Sequence, residues 1–256
     1  MNVKLIAHSR ISDAFQDELL GNGRVVSDLD GDNERAAVAL TAIRTCYSPL
    51  KPTEIVAKEG AKYFGNTAQD GEGGTEADRL FRHITRSGHT STLEHITYTF
   101  AIEGVSRALL AQLTRHRHLS FSVQSQRYVR FGSADKSGGF DYVTPDSLEG
   151  KAYSPLPCDT ATQVYERAME HAQMYYDLLR ISGVPAEDAR MVLPQAATCN
   201  LVMTGNLRTF LDFYAKRRPG NGAQAEIADL AERIREEITS VDPWLEPYFN
   251  VKEDVK

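Results

Sequence analysis

The sequence ITYTFAIEGVSRALLAQLT, residues 96–114, carries the clearest structural signal in the chain. β-branched and aromatic residues alternate over residues 96–102, which is typical of a strand. Over residues 105–114, Val105, Leu109 and Leu113 recur at the spacing of one helical face. The segment therefore predicts a strand, a turn and a helix in quick succession.

The same patterns organise the rest of the chain. Further strands are predicted at residues 3–7 and 199–204, and an extended or loop segment at 121–123. Helices are predicted at residues 33–45, 77–87, 159–182, 188–192, 207–217 and 223–239, followed by a Trp244-containing tail that packs down. Gly-, Pro- and Ser-rich loops are predicted at 65–75, 133–139 and 145–157. These elements indicate a mixed α/β protein with one continuous core, a single domain over residues 1–256 with an inserted loop near 65–75.

Composition narrows the class of protein. The 256 residues are 41% hydrophobic and 25% charged, which are ordinary proportions for a folded globular protein. The net charge of −6 argues against bulk attraction to nucleic acid or to an anionic membrane. There is no signal-peptide pattern at the N-terminus and no apolar run of about 20 residues. The three cysteines, Cys46, Cys158 and Cys199, form no paired spacing, so a reducing, cytoplasmic location is expected.

Positive charge is concentrated in residues 104–134. This window contains five arginines and no Asp, Glu or Lys, so its charge of +5 leaves −11 for the rest of the chain. The arginines are Arg107, Arg115, Arg117, Arg127 and Arg130. Guanidinium groups pair bidentately with phosphate or carboxylate and stack on planar rings. The window predicts a site for an anionic, planar ligand; the alternative is a set of salt bridges to the acidic helices elsewhere.

Neutral polar residues and a second basic group extend this prediction. Ser120, Ser122 and the run Gln124–Ser125–Gln126 lie among the arginines, a mixture that suits a nucleotide. Later, Arg208 and Arg217 lie nine residues apart on one predicted helix, about two and a half turns, and so point to opposite faces. They are expected to meet different ligands or different subunits. For the run 216–218, the alternative is a solvated helix C-terminus that complements the helix dipole.

Other kinds of chemistry are not favoured. Five histidines fall within 36 residues, but none has the spacing of a zinc helix: His83, His89, His95, His116 and His118. No metal is therefore predicted. There is no GxSxG elbow, no GxGxxG and no GxxxxGK[ST], so neither a covalent serine nucleophile nor a familiar nucleotide-binding loop is indicated.

At this point the motifs resemble a known family. Arg115, His116 and Arg117, followed by seven residues and Ser125, resemble the RHR-x7-S signature of flavin-dependent thymidylate synthases. The resemblance continues in IRTCYS at 43–48, GHTSTLEH at 88–95, SQRY at 125–128, ARMVLP at 189–194 and N-x-R-x8-R from Asn206 to Arg217. It covers most of the chain from about residue 43 to residue 227, and it implies loop insertions near 65–75 and 133–157.

The resemblance implies an activity and its ligands. It implies reductive methylation of dUMP to dTMP, with the carbon from methylenetetrahydrofolate and the hydride from FAD reduced by NADPH, without a covalent enzyme nucleophile. The residues that resemble FAD contacts are His89, Ser91, Arg115, His116, Arg117, Asn206 and Arg208. The residues that resemble dUMP contacts are Gln112, Ser125, Gln126, Arg127, Arg190 and Arg217. Arg217, Arg127 and Ser125 are expected to be catalytic, by orienting the base and polarising its carbonyl.

The resemblance also implies the assembly. It implies an α/β (α+β) fold, a single mixed domain with a central antiparallel-rich sheet flanked by helices. It further implies a homotetramer whose active sites are shared between subunits. Glu94 and His95 are expected to support His89. Two positions depart from the family pattern, Val123 in the x7 stretch and Asp212 on the later helix, and ligand contacts there are in question.

Two rival functions remain open from the residues alone. The first is an RNA or single-strand binder that uses the arginines with three aromatic residues, Phe121, Tyr128 and Phe131. The acidic remainder of the chain counts against it. The second is a histidine-rich metal hydrolase, which nothing in the histidine spacing favours.

Overall fold

The fold is a mixed α/β arrangement built on an antiparallel sheet. A computed structural model describes residues 1–21, 31–152 and 160–249. Within these residues, four strands pair in the order β1-β2-β4-β3. Their bounds are Asn2–His8 for β1, Thr97–Ser106 for β2, Ser120–Val123 for β3 and Thr198–Asn206 for β4. The predicted fold class and the predicted strands are confirmed.

The register of the sheet follows from bonds at the ends of its central pair. The amide of Arg107 donates to the carbonyl of Ala197 at 3.1 Å, and that of Leu207 donates to the carbonyl of Ile96 at 2.8 Å. Along this pair, the residue numbers rise in β2 as they fall in β4, so the two strands are antiparallel. Residues facing the core alternate along both strands, so their spacing matches the period of a half-buried sheet.

Helices make up most of the remaining described chain. They are α1 Asp13–Gly21, α2 Gly31–Thr45, α3 Pro52–Gly65, α4 Glu76–Arg86, α5 Arg107–Leu113, α6 Ala161–Ile181, α7 Ala186–Ala189, α8 Leu207–Arg217, α9 Ala225–Val241 and α10 Glu246–Phe249. Short 3-10 helices lie at Thr90–His95, Asp146–Leu148, Arg190–Val192 and Pro243–Leu245. None of the described helices is long and apolar enough to cross a membrane.

Two strands pass directly into helices. At the end of β2, the Ser106 hydroxyl accepts a hydrogen bond from the amide of Leu109 at 3.0 Å and so caps α5. At the end of β4, the Asn206 side chain accepts from the amide of Thr209 at 2.9 Å and caps α8. Ser and Asn are strong N-caps because their side chains satisfy amides that have no partner in the first turn. These caps fix where the predicted strand–helix units change direction.

The chain divides into two compact units, and β2 and β4 contribute residues to both. The first comprises residues 1–3, 101–203 and 224–230. In it, α6 holds the predicted loop at 133–139. Tyr176, fully buried, accepts the amide of Phe131 at 3.2 Å, and Asp177 accepts both the amide and the hydroxyl of Ser133. Of the other predicted loop, residues 153–157 lie outside the described residues, as does Cys158.

The second unit comprises residues 4–100, 204–223 and 231–256. Helices α1 to α3 bury an apolar cluster that includes Leu40, Ile55 and Phe64. The predicted loop at 65–75 is irregular, as expected, and exposed. Salt bridges tie it to α4, from Arg82 to Asp70 at 2.8 Å and from Arg86 to Glu72 at 2.6 Å. The hydrogen bond from Arg86 holds the pKa of Glu72 below its usual value.

Helices α1 and α3 were missing from the predictions made on the sequence, as was the four-residue α10. Helix α1 starts beside Ser12, whose hydroxyl accepts the amide of Phe15 at 3.3 Å. Helix α3 starts with Pro52 and carries Glu54 in its first turn. Both are start signals that periodicity alone does not score. In addition, β2 extends to Ser106, so Val105 belongs to the strand and not to the predicted helix.

A carboxylate is fully buried in the second unit. Asp242 accepts hydrogen bonds from the Tyr98 hydroxyl at 2.7 Å, the Arg35 guanidinium at 2.9 Å and the Trp244 indole at 3.1 Å. Arg35 also donates to the carbonyl of Val241. Burial and the neighbouring carboxylate raise the pKa of Tyr98 well above its usual value. This network fixes the predicted Trp244 tail against the helices, because a buried charge is tolerated only when it is paired.

We predict that Asp242→Ala lowers the free energy of unfolding by about 3 kcal/mol, since removing one member of a buried ion pair is strongly destabilising. Tyr98→Phe should lower it by only about 1–2 kcal/mol, because one neutral donor is lost. Urea denaturation followed by circular dichroism measures both. Equal midpoints for Asp242→Ala and the parent protein would show that the network contributes nothing to stability.

Candidate functional site

The RHR segment lies in the turn that follows α5. The amides of Arg115 and His116 donate to the carbonyls of Gln112 and Leu113, at 3.4 and 3.0 Å. The side chains of Arg115 and Arg117 are exposed, and neither forms an ion pair with any residue in the described part of the chain. Two guanidinium groups are therefore available for an anionic ligand. At these two positions, the described residues do not form the salt bridges that the alternative interpretation requires.

The other arginines of the window differ in their partners. Burial raises the pKa of the Cys199 thiol, and the positive charge of Arg107 partly opposes the rise. Arg130 is exposed and, across residues 1–21, 31–152 and 160–249, it has no ion pair. The window thus combines one arginine used within the fold with others that face solvent.

Ser125, Gln126 and Arg127 form the next turn. The Ser125 hydroxyl accepts the amide of Arg127 at 3.2 Å, and the Ser125 carbonyl accepts the amide of Val129 at 2.9 Å. Gln126 is buried. The hydroxyl of Ser125 helps to shape the turn, and in the described part of the chain it has no hydrogen bond to a basic side chain.

Glu187 connects two predicted dUMP residues of the first unit. Its carboxylate accepts the Arg127 guanidinium at 2.9 Å, and its backbone carbonyl accepts Nε of Arg190 at 2.9 Å. The Arg127–Glu187 pair is half-exposed, so it contributes positioning more than stability. The sequence predictions did not include Glu187; its three-residue spacing from Arg190 on one helical turn was the only local signal.

Gln112, also predicted to contact dUMP, lies on the last turn of α5. Its amide nitrogen is 3.5 Å from the carbonyl of Ala108 and from Oε1 of Gln224. Both distances are long for hydrogen bonds, so the amide is only loosely held. It can therefore turn toward a ligand at little cost.

In the second unit, His89 pairs with Tyr47. The Tyr47 hydroxyl is 2.8 Å from Nδ1 of His89, and the rings meet edge to face at 5.7 Å. The backbone amide of His89 donates a hydrogen bond to the carbonyl of Ile84 at 3.2 Å, which fixes the backbone at this residue. The preceding residue, Gly88, has a φ of +74°. A left-handed φ favours glycine, which explains the break in the chain at this point. Tyr47 was not among the predicted site residues.

Ser91 and the residues after it line a cavity of about 630 Å³ in the second unit. Its wall also includes Cys46, Glu94 and His95, with apolar residues of α1 and α2 on the other side. Ser91 is exposed on the short 3-10 helix. The predicted FAD residue therefore lies at the edge of a space large enough to admit part of a nucleotide.

Arg208 is held by Glu94. Its guanidinium donates to the Glu94 carboxylate at 2.6 Å. The expectation that Glu94 and His95 support His89 is therefore wrong for Glu94, because its carboxylate turns toward Arg208, and the hydrogen bond found for the His89 ring goes to Tyr47. The two partners are 114 residues apart, so no spacing rule could pair them.

Helix α8 carries two predicted site arginines that point to opposite faces of the helix. Arg208 lies in its first turn. Arg217 lies in its last turn and is half-buried. Asp212, a departure from the family pattern, pairs with Lys216 at 2.7 Å on the exposed surface. The other departure, Val123, ends β3 and is half-buried.

The histidines do not form a metal site in the described residues. No group of three or more His, Cys, Asp or Glu side chains is close enough there to hold an ion. The described site residues therefore offer guanidinium, amide and hydroxyl groups, together with histidines that do not cluster around a metal position.

The fold and these groups define a mixed α/β protein equipped to bind nucleotide-like anions. The family described as "Thymidylate synthase complementing protein" matches residues 26–244. The chain belongs to this family, and the predicted resemblance is confirmed.

Relatives and solved structures agree with that assignment. A flavin-dependent thymidylate synthase of Geobacter sulfurreducens is 38% identical over 82% of this chain and 79% of its own length. One from Clostridium tetani is 30% identical over 82% and 80%. In fold, the chain is similar to the UMP/dUMP methylase PolB from Streptomyces cacaoi bound with 5-Br dUMP, with a TM-score of 0.65, 23% identity and coverage of 97% and 94%. It is also similar to ThyX from Helicobacter pylori complexed with FAD and dUMP, with a TM-score of 0.62, 22% identity and 98% of both chains.

We predict that Tyr47→Phe changes the tautomer balance of His89. A hydroxyl that donates to Nδ1 keeps the proton of the neutral ring on Nε2, and phenylalanine removes that donor. Nitrogen-15 NMR of the imidazole measures the two tautomers, with His118, exposed in the RHR turn, as the internal control. An unchanged His89 spectrum would mean that the 2.8 Å contact does not set the tautomer.

Proposed function

We propose that this chain is a flavin-dependent thymidylate synthase that converts dUMP to dTMP, with methylenetetrahydrofolate as carbon donor and NADPH as reductant. Family membership and relatives of that name support the class of enzyme. The observation in the chain itself that carries the proposal is the pair Arg115 and Arg117, exposed and without ion pairs among the described residues, in a protein whose net charge is −6. Guanidinium groups left unpaired in an acidic protein are suited to capture an anion.

The residues present fit FAD by their donor chemistry. Arg115 and Arg117 can bind its pyrophosphate, because guanidinium groups match phosphate geometry. His116 and His89 offer rings and nitrogen atoms to a planar heterocycle. The hydroxyl of Ser91, the amide of Asn206 and the guanidinium of Arg208 supply further donors, and Glu94 keeps Arg208 in place. When bound, FAD would supply the hydride that this chain's side chains cannot provide.

The dUMP residues divide the work of binding and polarisation. Arg127, Arg190 and Arg217 would hold the phosphate and polarise a uracil carbonyl, stabilising the charge that develops as the ring becomes nucleophilic. Gln112 and Gln126 would bind the base edge, and Ser125 would orient it. Because Arg127 is already held by Glu187 at 2.9 Å, its direction is set before the ligand arrives, which lowers the cost of ordering it.

We further propose that the chain acts as a single functional domain and assembles as a homotetramer in the cytoplasm. An exposed apolar stripe on α6 supports assembly: Met174, Tyr175, Leu178 and Ile181, the last 83% exposed. Contiguous apolar surface of this kind marks interaction sites. In a tetramer whose active sites each take residues from several subunits, Arg208 and Arg217 would serve different sites, although they point in opposite directions on α8.

The central experiment is an absorption scan of the purified protein from about 300 to 550 nm, because the proposed cofactor is a flavin. Anaerobic addition of NADPH with and without dUMP follows. A flavin spectrum that bleaches faster with dUMP supports the proposal. A colourless protein that neither binds added FAD nor oxidises NADPH overturns it, and a salt-dependent affinity for single-stranded nucleic acid would then favour the rival binder.

Two substitutions separate the proposed FAD and dUMP groups. We predict that Arg117→Ala lowers flavin occupancy, measured by the ratio of absorbance at about 450 nm to that of the protein. Arg217→Ala should weaken dUMP binding at least tenfold in calorimetry, the loss of about 1.4 kcal/mol or more, and leave the flavin in place. Arg86→Ala, which removes an exposed arginine outside both groups, is the control. If neither substitution alters either ligand, the two assignments are wrong.

Assembly has its own test. We predict that Ile181→Glu with Leu178→Glu lowers the mass in light scattering from about four times 28.5 kDa, because buried charges without partners are costly. Glu166→Gln, an exposed change on the same helix, should leave the mass unchanged. A parent protein that runs as a monomer, or a mutant that remains a tetramer, contradicts the role given to the stripe.

A further inference from the structure

A second cavity, apart from every predicted site residue, lies among the helices of the second unit. Its volume is about 290 Å³. The residues that line it are Ala36, Ala39, Leu40, Ile43, Phe64, Thr75, Ala77, Asp78, Leu80, Phe81, Pro243 and Trp244. They come from α2, α3, α4 and the tail after α9, with the loop residue Thr75.

The cavity exists because small side chains occupy the walls of two neighbouring helices. Ala36 and Ala39 line it from α2, and Ala77 lines it from α4. Larger residues, including Leu40, Phe64 and Phe81, are buried around them and hold the helices apart. The space is partly open to solvent, because Pro243 in its wall is exposed and Trp244 is half-buried.

The two polar side chains contributed by Thr75 and Asp78 are bonded to each other. Oδ2 of Asp78 accepts the amide of Thr75 at 2.7 Å and its hydroxyl at 2.8 Å. These groups form the capping box of α4, where the helix dipole also favours the carboxylate. The cavity therefore presents aliphatic carbon and aromatic rings to a ligand.

We propose that this cavity binds a small, neutral aromatic molecule of one or two rings. The walls supply Phe64, Phe81 and Trp244, whose rings prefer edge-to-face or offset contact with another ring. An apolar cavity of about 150 Å³ stays dry and takes up benzene, and this cavity is nearly twice as large. An anionic ligand is not suited to it, because the carboxylate of Asp78 lies in the wall.

Trp244 makes the proposal directly measurable. It is the one tryptophan of the 256 residues, so the intrinsic tryptophan fluorescence comes from the wall of the cavity. Its indole donates to Asp242 at 3.1 Å and meets the Phe81 ring at 4.9 Å, which fixes its position. A heavy-atom ligand bound beside it would quench that fluorescence.

The test titrates the full-length protein with iodobenzene and, separately, follows thermal unfolding with benzene. We expect saturable quenching and a benzene-dependent rise in the melting temperature. Ala39→Leu, which fills the cavity, should weaken the quenching at least tenfold and abolish the benzene effect. Ala61→Leu, an exposed change on α3, is the matched control and should retain both.

Two results would overturn the proposal. One is quenching that rises linearly without saturation, as for a tryptophan open to solvent. The other is equal affinity in the parent protein and in Ala39→Leu, which would place the ligand elsewhere. Ala36→Leu, at a half-buried position of the same wall, provides the same comparison if Ala39→Leu does not fold.

Discussion

The direct passage from strand to helix at two capped residues is the constraint on which the site residues depend. Ser106 and Asn206 each end a strand and accept an amide of the helix that follows, so no loop intervenes. The Ser106 hydroxyl also donates to the Glu226 carboxylate at 2.5 Å, which ties the first junction to α9. A fixed junction gives every later residue of its helix a fixed direction. Gln112 and the RHR turn follow from the first junction, and Arg208 and Arg217 from the second.

Local patterns predicted most of this framework. Strand alternation and helical spacing located β1, β2, β4 and α8, the last with the bounds that the structure shows. They are less informative on α6, where Val164, Ala168, Ala172, Tyr175 and Leu179 have the spacing of one apolar stripe. The fully buried residue is Tyr176, and Tyr175 is exposed. A helix with apolar residues on two sides fits more than one stripe, so periodicity detects the helix without saying which side packs.

The contacts within the site were beyond the reach of spacing. Motif resemblance found Arg127, Arg208 and His89, but their partners lie far away in sequence. Glu187 is 60 residues from Arg127, and Tyr47 is 42 residues from His89. Such pairs depend on how the chain folds back on itself, and a side chain can reach only what tertiary packing brings within a few ångströms. The error over Glu94 has the same origin, because its sequence neighbour His89 is not its spatial partner.

Ion pairing separates the arginines that serve the fold from those that face a ligand. Arg35, Arg44 and Arg235 are largely buried and paired to carboxylates, as burial of a guanidinium requires. Arg115 and Arg117 are exposed, so water solvates their charge and the fold gains nothing from a partner for them. In an acidic chain, carboxylates are abundant, so an exposed arginine would often contact one of them by chance. The guanidinium groups of Arg115 and Arg117, which none of the described carboxylates contacts, can therefore take a bound anion as their counter-charge.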